Sequence, residues 1–329
     1  MRKVAAAAAA MAAVLLPMIG TAQVRIEKTA YKGWPNCYRI TNGEVDLIVT
    51  SDIGPRVMRY GFVGGQNLFW EQPEGLGKSG EPAWVLRGGH RIWVGPEDIK
   101  YTYPPDNVPV RAEIKGSDLI VTQPVEKETG IEKQIQVQLE PKGSAVTVIH
   151  RLTNRGNMPL EYAAWALTMM AQNGVGITGF PPRGTHPEVL QPTNPLVMWA
   201  FTDLTDKRWQ FTKKYMMLRQ DPANSVPQKL GIFNENTWGA YALNGELFIK
   251  RTKGEKDKPY PDLGCSFETF TNNLFLELET LGPITKVPAG GTLEHVERWS
   301  LHKGVKIGAW TDAELDRAIL PLLAGRPGQ

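Results

Sequence analysis

Glycines and prolines divide this chain into short runs in which apolar and polar residues alternate. The 329 residues include 33 glycines and 25 prolines. In one such run, EVDLIVT (44–50), Val45, Leu47 and Val49 occupy every second position. A period of two places these side chains on one face of a β-strand, and turn residues at this frequency leave no room for helical periodicity to develop. The sequence therefore predicts an all-β fold of antiparallel sheets, each with a single buried face.

Further segments have a similar length and composition and are predicted to be strands. They are RVMRYGF (56–62), QNLFW (66–70), DLIVTQPV (118–125), IEKQIQVQLE (131–140), AVTVIHRLT (145–153), LEYAAWALTM (160–169), GAYAL (239–243), LFIKR (247–251), LFLELET (274–280) and LEHVERWSL (293–301). One helix is predicted near the C-terminus, where TDAE (311–314) resembles a capping box with Thr311 as N-cap and Glu314 at N3. We expect this helix to pack peripherally on the outside of one large β-sandwich.

The first 22 residues have the features of a secretory signal peptide. Two basic residues precede an almost entirely apolar run over residues 4–19, and Gly20 and Ala22 fit cleavage after Ala22. No stop-transfer pattern follows, so the run is not interpreted as a membrane span. We therefore expect an exported protein, periplasmic or extracellular, in which residues 23–329 form a single domain.

The mature chain is nearly neutral. Without the two basic residues of the leader, 35 of the 37 lysines and arginines remain against 34 acidic residues, a net charge of +1. A nucleic-acid partner is not expected, because such proteins carry a basic stripe, and no later apolar segment is long enough to span a bilayer. The two cysteines, Cys37 and Cys265, can form a disulfide in an oxidising compartment or remain buried thiols, and sequence alone leaves both open.

A proline-rich stretch, TGFPPRGTHPEVLQPTNP (178–195), separates two groups of predicted strands. Loops of this length without secondary structure of their own are uncommon inside compact domains and are often functional. The stretch is predicted to be either a linker or a long loop that crosses the mouth of a site.

Two predicted strands carry pairs of carboxylates that are candidates for a site. In LFLELETLGP, the leucines and Thr280 share one face, whereas Phe275, Glu277 and Glu279 share the other. These carboxylates either lie on a solvated face or lie in a groove, where one can act as a general base. In LEHVERWSL, Glu294 or Glu297 is as suited to pairing with an arginine on a neighbouring strand as to catalysis.

The stretch GGHRIWVGPED (88–98) combines residue types that a polar, ring-shaped ligand requires. Glycines allow close backbone approach, His90 can donate or accept a proton near neutral pH, and Arg91 offers a fork of donors. Trp93 has a flat apolar face, and Glu97 can accept hydrogen bonds. The alternative is a hairpin loop with a buried tryptophan and a surface histidine.

Other chemistries lack support in the sequence. There is no nucleophile elbow, phosphate-binding loop, dinucleotide fingerprint or zinc motif, and the five histidines are dispersed. No metal and no cofactor are expected.

Several segments together resemble the galactose mutarotase-like proteins, the family of the aldose 1-epimerases. YKGWPNCYRITNGEVDLIVTSDIGPRVMRYGFVGGQNLFWE resembles the opening strands of that family, and LTNRGNMPLEYAAWALTMM resembles its central strands. LFLELETLGPITKVPAGGTLEHVERW resembles its C-terminal signature. The resemblance covers most of the mature chain and is closest to an uncharacterised secreted bacterial branch.

This resemblance implies a large antiparallel supersandwich that binds a saccharide in a groove on one sheet. In the epimerases a glutamate of the LET motif takes the proton of the anomeric hydroxyl and a histidine protonates the ring oxygen. By motif position the base is Glu279, and His90 is the candidate acid. Arg56, Asn67 and Glu277 join Arg91, Trp93 and Glu97 as candidate substrate-binding residues. We expect His90 and Trp93 to line the same cavity as Glu279.

The chain departs from the epimerase pattern at the usual acid. The epimerases carry an Asn-His pair on the strand that here reads AWALTMM, and no histidine lies near Met169 or Met170. Three functions therefore remain open: an exported sugar-binding protein with epimerase activity, a non-catalytic carbohydrate-binding accessory protein, and a structural envelope protein with a vestigial groove.

Overall fold

The computed structural model of the protein describes residues 23–325, so the predicted signal peptide lies outside the described residues. Within this range the chain forms 21 strands and two α-helices. In chain order they are β1 (Arg25–Tyr31), β2 (Trp34–Thr41), β3 (Val45–Thr50), β4 (Arg56–Phe62), β5 (His90–Gly95), α1 (Ile99–Thr102), β6 (Arg111–Lys115), β7 (Asp118–Thr122), β8 (Ile131–Leu139), β9 (Val146–Asn154), β10 (Leu160–Met170), β11 (Val175–Gly179), β12 (Leu196–Met198), β13 (Trp209–Phe211), β14 (Tyr215–Arg219), β15 (Gln228–Ile232), β16 (Asn236–Leu243), β17 (Glu246–Lys253), β18 (Phe267–Thr271), β19 (Leu276–Leu281), β20 (Thr285–Val287), β21 (Thr292–Lys303) and α2 (Asp312–Ala324).

The strands form two large sheets in which the paired strands are antiparallel. The first sheet has eleven strands in the order β1-β2-β3-β4-β5-β10-β19-β18-β15-β12, with β20 paired to β10. The second has ten strands in the order β13-β14-β11-β16-β17-β21-β9-β8-β7-β6. This architecture confirms the predicted all-β supersandwich.

The main hydrophobic core contains residues from both sheets, and strands such as β8 and β9 contribute alternate side chains to it. The strand β8 follows the predicted pattern, with buried and half-buried residues in strict alternation. The strands β3, β5 and β19 do not, because all of their residues are buried. The expectation of a single buried face is therefore wrong for the middle of the first sheet, whose outer face also carries packed side chains.

The C-terminal helix α2 packs on the outer face of the second sheet, as predicted. Its Leu315 and Ile319 are buried against a cluster that includes Ile177 and Ile249. Thr311 is the N-cap, and its Oγ1 accepts a hydrogen bond from the Glu314 backbone N–H. Within residues 23–325, no helix is long and apolar enough to cross a membrane.

One detail of the sequence interpretation is corrected, and one alternative that it left open is decided. Residues 66–70 are not a strand, because they pair only through an isolated bridge between Phe69 and Met170. Cys37 and Cys265 are both free and buried, so the disulfide that the sequence left open is not formed.

Candidate functional site

The outer face of the first sheet contains a groove of about 270 Å³ over its central strands. Its walls are mostly aromatic and its floor is charged. The lining residues are Trp84, Leu86, Arg91, Trp93, Glu97, Tyr103, Trp165, Leu167, Met169, Trp199, Phe201, Lys229, Phe270, Phe275 and Glu277. Four of the predicted site residues, Arg91, Trp93, Glu97 and Glu277, are therefore brought together.

Strand register explains why Arg91, Trp93 and Glu277 meet. Across the sheet, Arg91 of β5 pairs with Leu167 of β10, and Leu167 pairs in turn with Glu279 of β19. Residues two positions along a strand share its face, so Trp93 lies beside Arg91 and Glu277 lies beside Glu279. Segments almost 190 positions apart thus contribute to one face.

Aromatic rings form one wall of the groove. Trp93 contacts Trp84, Tyr103 and Trp165 edge-on, with ring centroids 5.5, 5.1 and 5.5 Å apart. Phe275 lies on the other side with its ring centroid 6.0 Å from that of Phe270. Such rings supply flat apolar surface that is held in place by its neighbours.

Arg91 and Glu277 form the charged pair of the groove. The Arg91 guanidinium lies 4.1 Å from the centre of the Trp93 ring and 3.5 Å from Glu277 Oε1. Burial lowers the pKa of Arg91 to about 10, against the opposing effect of Glu277. Burial and the neighbouring Glu279 raise the pKa of Glu277 to about 7, although Arg91 acts in the opposite direction. A carboxyl group facing the groove can therefore gain or lose a proton near neutral pH.

At the floor of the groove, Lys229 bridges two buried carboxylates that lie beneath it. Its Nζ lies 2.7 Å from Glu268 Oε2 and 2.9 Å from Glu279 Oε2. Burial lowers the pKa of Lys229, but the two carboxylates outweigh it and raise that pKa. Burial holds the pKa of Glu268 well above its usual range. The ammonium also lies over the rings of Trp165 and Trp199, 4.8 and 4.6 Å from their centres.

Glu279, the predicted base, belongs to this layer and does not line the groove. Its side chain is fully buried, and its Oε2 accepts hydrogen bonds from Trp165 Nε1 and from Lys229 Nζ. Its Oε1 is buried without a hydrogen-bond partner. The solvated-face alternative for Glu277 and Glu279 is wrong, because both are buried.

His90 is separated from Glu279 by the sheet itself. It is the residue before Arg91 on β5, so its side chain points to the opposite face, between the two sheets. The ring is fully buried. Nδ1 lies 2.9 Å from Thr168 Oγ1, and Nε2 lies 2.7 Å from His150 Nε2. The expectation that His90 lines the same cavity as Glu279 is therefore wrong.

The contacts of His90 define its proton positions. His150 Nδ1 lies 2.9 Å from the His295 carbonyl oxygen and must donate to it. A neutral His150 then accepts at Nε2, so His90 donates from Nε2 and accepts from Thr168 at Nδ1. Thr168 Oγ1 in turn accepts from Lys250 Nζ at 3.1 Å. Burial holds the pKa values of His90 and His150 below their usual range, which agrees with neutral rings.

Glu297 completes this buried polar network. It lies 2.7 Å from Lys250 Nζ through Oε1, and Trp299 Nε1 donates to its Oε2 at 2.8 Å. Thr280 also donates to this carboxylate and lies 2.9 Å from His295 Nε2. Burial opposes ionisation of Glu297, but the Lys250 ammonium holds its pKa below its usual range. Every one of these side chains is engaged within the network.

His90, His150 and Glu297 have the composition and spacing of a metal-binding group, with ligand atoms within 4.8 Å of one another. Two features argue against that role. The His90–His150 contact uses both Nε2 atoms for a hydrogen bond, and the Lys250 ammonium already supplies a cation at Glu297. The group is therefore interpreted as a hydrogen-bonded part of the core.

Arg56 and Asn67, two predicted substrate-binding residues, do not line the groove. Arg56 is fully buried and pairs with Asp106, 2.5 Å away, while donating to the Gly88 carbonyl at 2.7 Å. The Asn67 amide donates to the Met58 carbonyl oxygen and its Oδ1 accepts from backbone N–H groups. Both side chains hold the backbone of the first sheet in place.

The proline-rich loop does not cross this groove, since none of residues 180–195 lines it. Its first part lies against α2 instead, beside Asp316 and Leu320. The residues that follow the loop do reach the groove, through Trp199 and Phe201.

Lys229, Glu268, Trp165 and Trp199 are site residues that sequence analysis missed. Lys229 lies in QKLGI and Glu268 lies in the short run FETFT, and neither segment is among the predicted strands. Neither segment carries a motif. The pairing of β15, β18 and β19 is what brings Lys229 and Glu268 beside Glu279.

Solved structures share this architecture. A proposed aldose 1-epimerase from Klebsiella pneumoniae superposes with a TM-score of 0.58 at 12% identity, over 92% of this chain and 88% of that one. A galactose mutarotase-like protein from Lactobacillus casei gives 0.53 at 12% identity, over 81% of this chain and 100% of that one. A galactose mutarotase related enzyme from Lactobacillus acidophilus gives 0.50 at 9% identity, over 82% and 98%.

No protein-family model and no curated protein matches the chain. The structural similarity shows that the chain has the galactose mutarotase-like fold, as the sequence resemblance predicted. The closer relation to an uncharacterised secreted branch stays a prediction.

Proposed function

We propose that this is an exported carbohydrate-binding protein whose saccharide ligand lies in the groove of the first sheet. The observation that carries the proposal is the composition of that groove. Trp84, Trp93 and Trp199 offer flat faces for the C–H surface of a sugar ring. Arg91 and Glu277 offer charged donors and acceptors for its hydroxyls.

A second activity, interconversion of sugar anomers, is favoured by one further observation. Glu277 faces the groove and its pKa is raised to about 7. The efficiency of a general acid or base is greatest when its pKa lies near the operating pH. We therefore assign the base to Glu277, which faces the groove, and not to the motif position Glu279, which lies beneath it.

In this mechanism the Glu277 carboxylate removes the proton of the anomeric hydroxyl. The C1–O bond of the ring breaks as the C1 carbonyl forms, and the ring oxygen takes a proton from water in the open groove, to which that proton returns when the ring closes. Arg91 stabilises the charge that develops on that oxygen. Closure of the ring on either face of C1 reverses the steps and returns the proton from Glu277. His90 takes no part, because it lies on the other face of the sheet.

Binding is tested by calorimetric titration of the exported protein with a panel of monosaccharides and oligosaccharides. We expect at least one to bind, and Trp93→Ala to weaken it at least tenfold, about the loss that removal of a stacking surface causes. Trp310→Ala is the matched control, because Trp310 packs near α2 on the second sheet. Equal weakening by both variants, or no binding to any saccharide, would contradict the proposal and favour a structural envelope protein.

Catalysis is tested separately, by polarimetry of freshly dissolved aldoses. If the protein is an epimerase, Glu277→Gln should lower the rate by about 10²–10⁴, the range for a positioned acid or base. Glu279→Gln should lower the unfolding free energy, because it removes a buried partner of Lys229, and should leave the rate of the folded protein close to that of wild type. A wild-type rate equal to that of buffer, with binding retained, would assign the protein to the non-catalytic accessory class.

A further inference from the structure

The outer face of the second sheet carries an unusual pair of arginines. Arg251 of β17 and Arg298 of β21 are directly opposite each other in the antiparallel ladder. Like charges in this position destabilise a sheet. Arg298 is exposed and Arg251 is half buried, and burial together with Arg298 lowers the pKa of Arg251.

Nothing acidic in the described chain compensates this pair. Among residues 23–325, no carboxylate forms a salt bridge with Arg251, Arg298 or the adjacent Lys253. The only side-chain hydrogen bond that Arg251 makes there joins its Nη1 to the Leu323 carbonyl at the end of α2, at 2.7 Å. Arg151, on the neighbouring strand β9, differs, because Glu294 lies 3.0 Å from its Nε.

The two arginines line a cavity. It has a volume of about 1050 Å³ and lies between the sheet and the C-terminal end of α2. Trp238 pairs with Arg251 in the ladder on the side away from Arg298, so an indole and two guanidiniums form one row. Val296 and Leu320 add apolar surface, and Leu320 is 45% exposed.

From this arrangement we propose a second binding site, for a small organic anion with an apolar body. Its phosphate, sulfate or carboxylate group lies between Arg251 and Arg298, with Lys253 beside it. Two guanidiniums can hold such a group through charge-assisted hydrogen bonds. The apolar body contacts Trp238 and Leu320. The site is on the other sheet from the groove, so it does not depend on the proposed sugar binding.

The test uses phenyl phosphate as the probe, titrated calorimetrically at constant ionic strength, with benzyl alcohol as a neutral analogue and inorganic phosphate alone. Wild type should bind phenyl phosphate more tightly than inorganic phosphate and should not bind benzyl alcohol measurably. Arg298→Gln should lower the affinity for phenyl phosphate about tenfold, since it removes a charged hydrogen-bond donor. Arg151→Gln, on the same face but paired with Glu294, should leave the affinity unchanged.

A thermal-shift measurement gives an independent readout. Because Arg298 is exposed and repels Arg251, Arg298→Gln should fold and should melt no lower than wild type without the probe. Phenyl phosphate should raise the melting temperature of wild type and of Arg151→Gln but not of Arg298→Gln. No shift of the wild type, or an equal shift of all three proteins, would overturn the site.

Co-sedimentation with lipid vesicles distinguishes a free anion from a lipid headgroup as the ligand. The protein could co-sediment with phosphatidylglycerol vesicles but not with phosphatidylcholine vesicles, and lose this binding in Arg298→Gln. That result would overturn the proposal of a free small anion and assign the site to a lipid headgroup. Absence of co-sedimentation together with phenyl phosphate binding supports the site as proposed.

Discussion

At the scale of single residues, one step along a strand decides the chemistry available to a side chain. His90 and Arg91 are neighbours on β5, yet the first joins a hydrogen-bonded network between the sheets and the second faces the groove. On β19, Thr280 lies in the network and Glu279 lies beneath the groove. Because successive side chains of a strand point to opposite faces, adjacent residues cannot serve the same site.

The raised pKa of Glu277 predicts a specific dependence of stability on pH. The folded pKa of about 7 lies above the ordinary value of 4.5, so between these values the unfolded chain releases a proton that the folded chain keeps. The contribution of Glu277 to stability is therefore fully present below about pH 4.5 and is lost as the pH rises towards 7. Glu277→Gln abolishes this pH dependence. The unfolding free energy of the variant minus that of wild type should therefore rise by about 3 kcal/mol between pH 4.5 and pH 7.

Urea denaturation at a series of pH values measures the difference. Glu294→Gln, which removes an exposed carboxylate that is also paired with an arginine, is the control and should not reproduce the trend. A difference between Glu277→Gln and wild type that stays constant from pH 4.5 to 8 would contradict the assignment.

At the scale of elements, α2 shows how local signals and packing combine. Thr311 caps the helix as the sequence predicted. The Glu314 carboxylate does not return to the N-cap but accepts from the Gly308 and Ala309 backbone N–H groups, at 2.8 and 2.6 Å. It therefore ties the helix to the segment before it. Packing of Leu315 and Ile319 then holds the helix on the second sheet.

We expect Thr311→Ala to lower the unfolding free energy by about 1 kcal/mol, the usual effect of losing an N-cap side chain. Thr311→Ser, which keeps the hydroxyl, should remain close to wild type. Denaturant titrations of both variants measure the effect. A loss in the serine variant equal to that in the alanine variant would show that the hydroxyl does not cap the helix.

At the scale of the whole molecule, the network around Glu297 links the two sheets. Lys250 lies in the second sheet. Its Nζ donates hydrogen bonds to the backbone carbonyls of Ala166 and Leu278, both in the first sheet, at 3.1 Å. It also pairs with Glu297 on β21. Each of these polar groups has its partner within the dry interior, where an unpaired charge is very costly.

Lys250→Met should therefore lower the unfolding free energy by about 3–5 kcal/mol, because it leaves Glu297 buried without its cation. Adding Glu297→Gln in the Lys250→Met background should recover part of that loss, since the uncompensated charge is removed. A double-mutant cycle in urea gives the coupling between the two positions. Additive effects would show that the pair does not act as a unit.

Much of the architecture was predictable from the sequence because strand periodicity, turn residues and a helix cap are local properties. They indicated the all-β sandwich, the peripheral helix, and the face of the strand on which Glu277 lies. The resemblance to the mutarotase-like proteins implied a large antiparallel supersandwich, and the structural neighbours share that fold.

The composition of the groove was decided by tertiary structure. Lys229 and Glu268 reach Glu279 only through pairing of strands distant in sequence, and His90 reaches His150 only through the facing sheet. Sequence identifies a residue and its periodicity, but burial and charge partners depend on which segments pack together. Burial and the neighbouring Glu279 raise the pKa of Glu277, and burial lowers the pKa of His90 and keeps its ring neutral. The tertiary structure therefore decided which of the predicted residues can take part in chemistry.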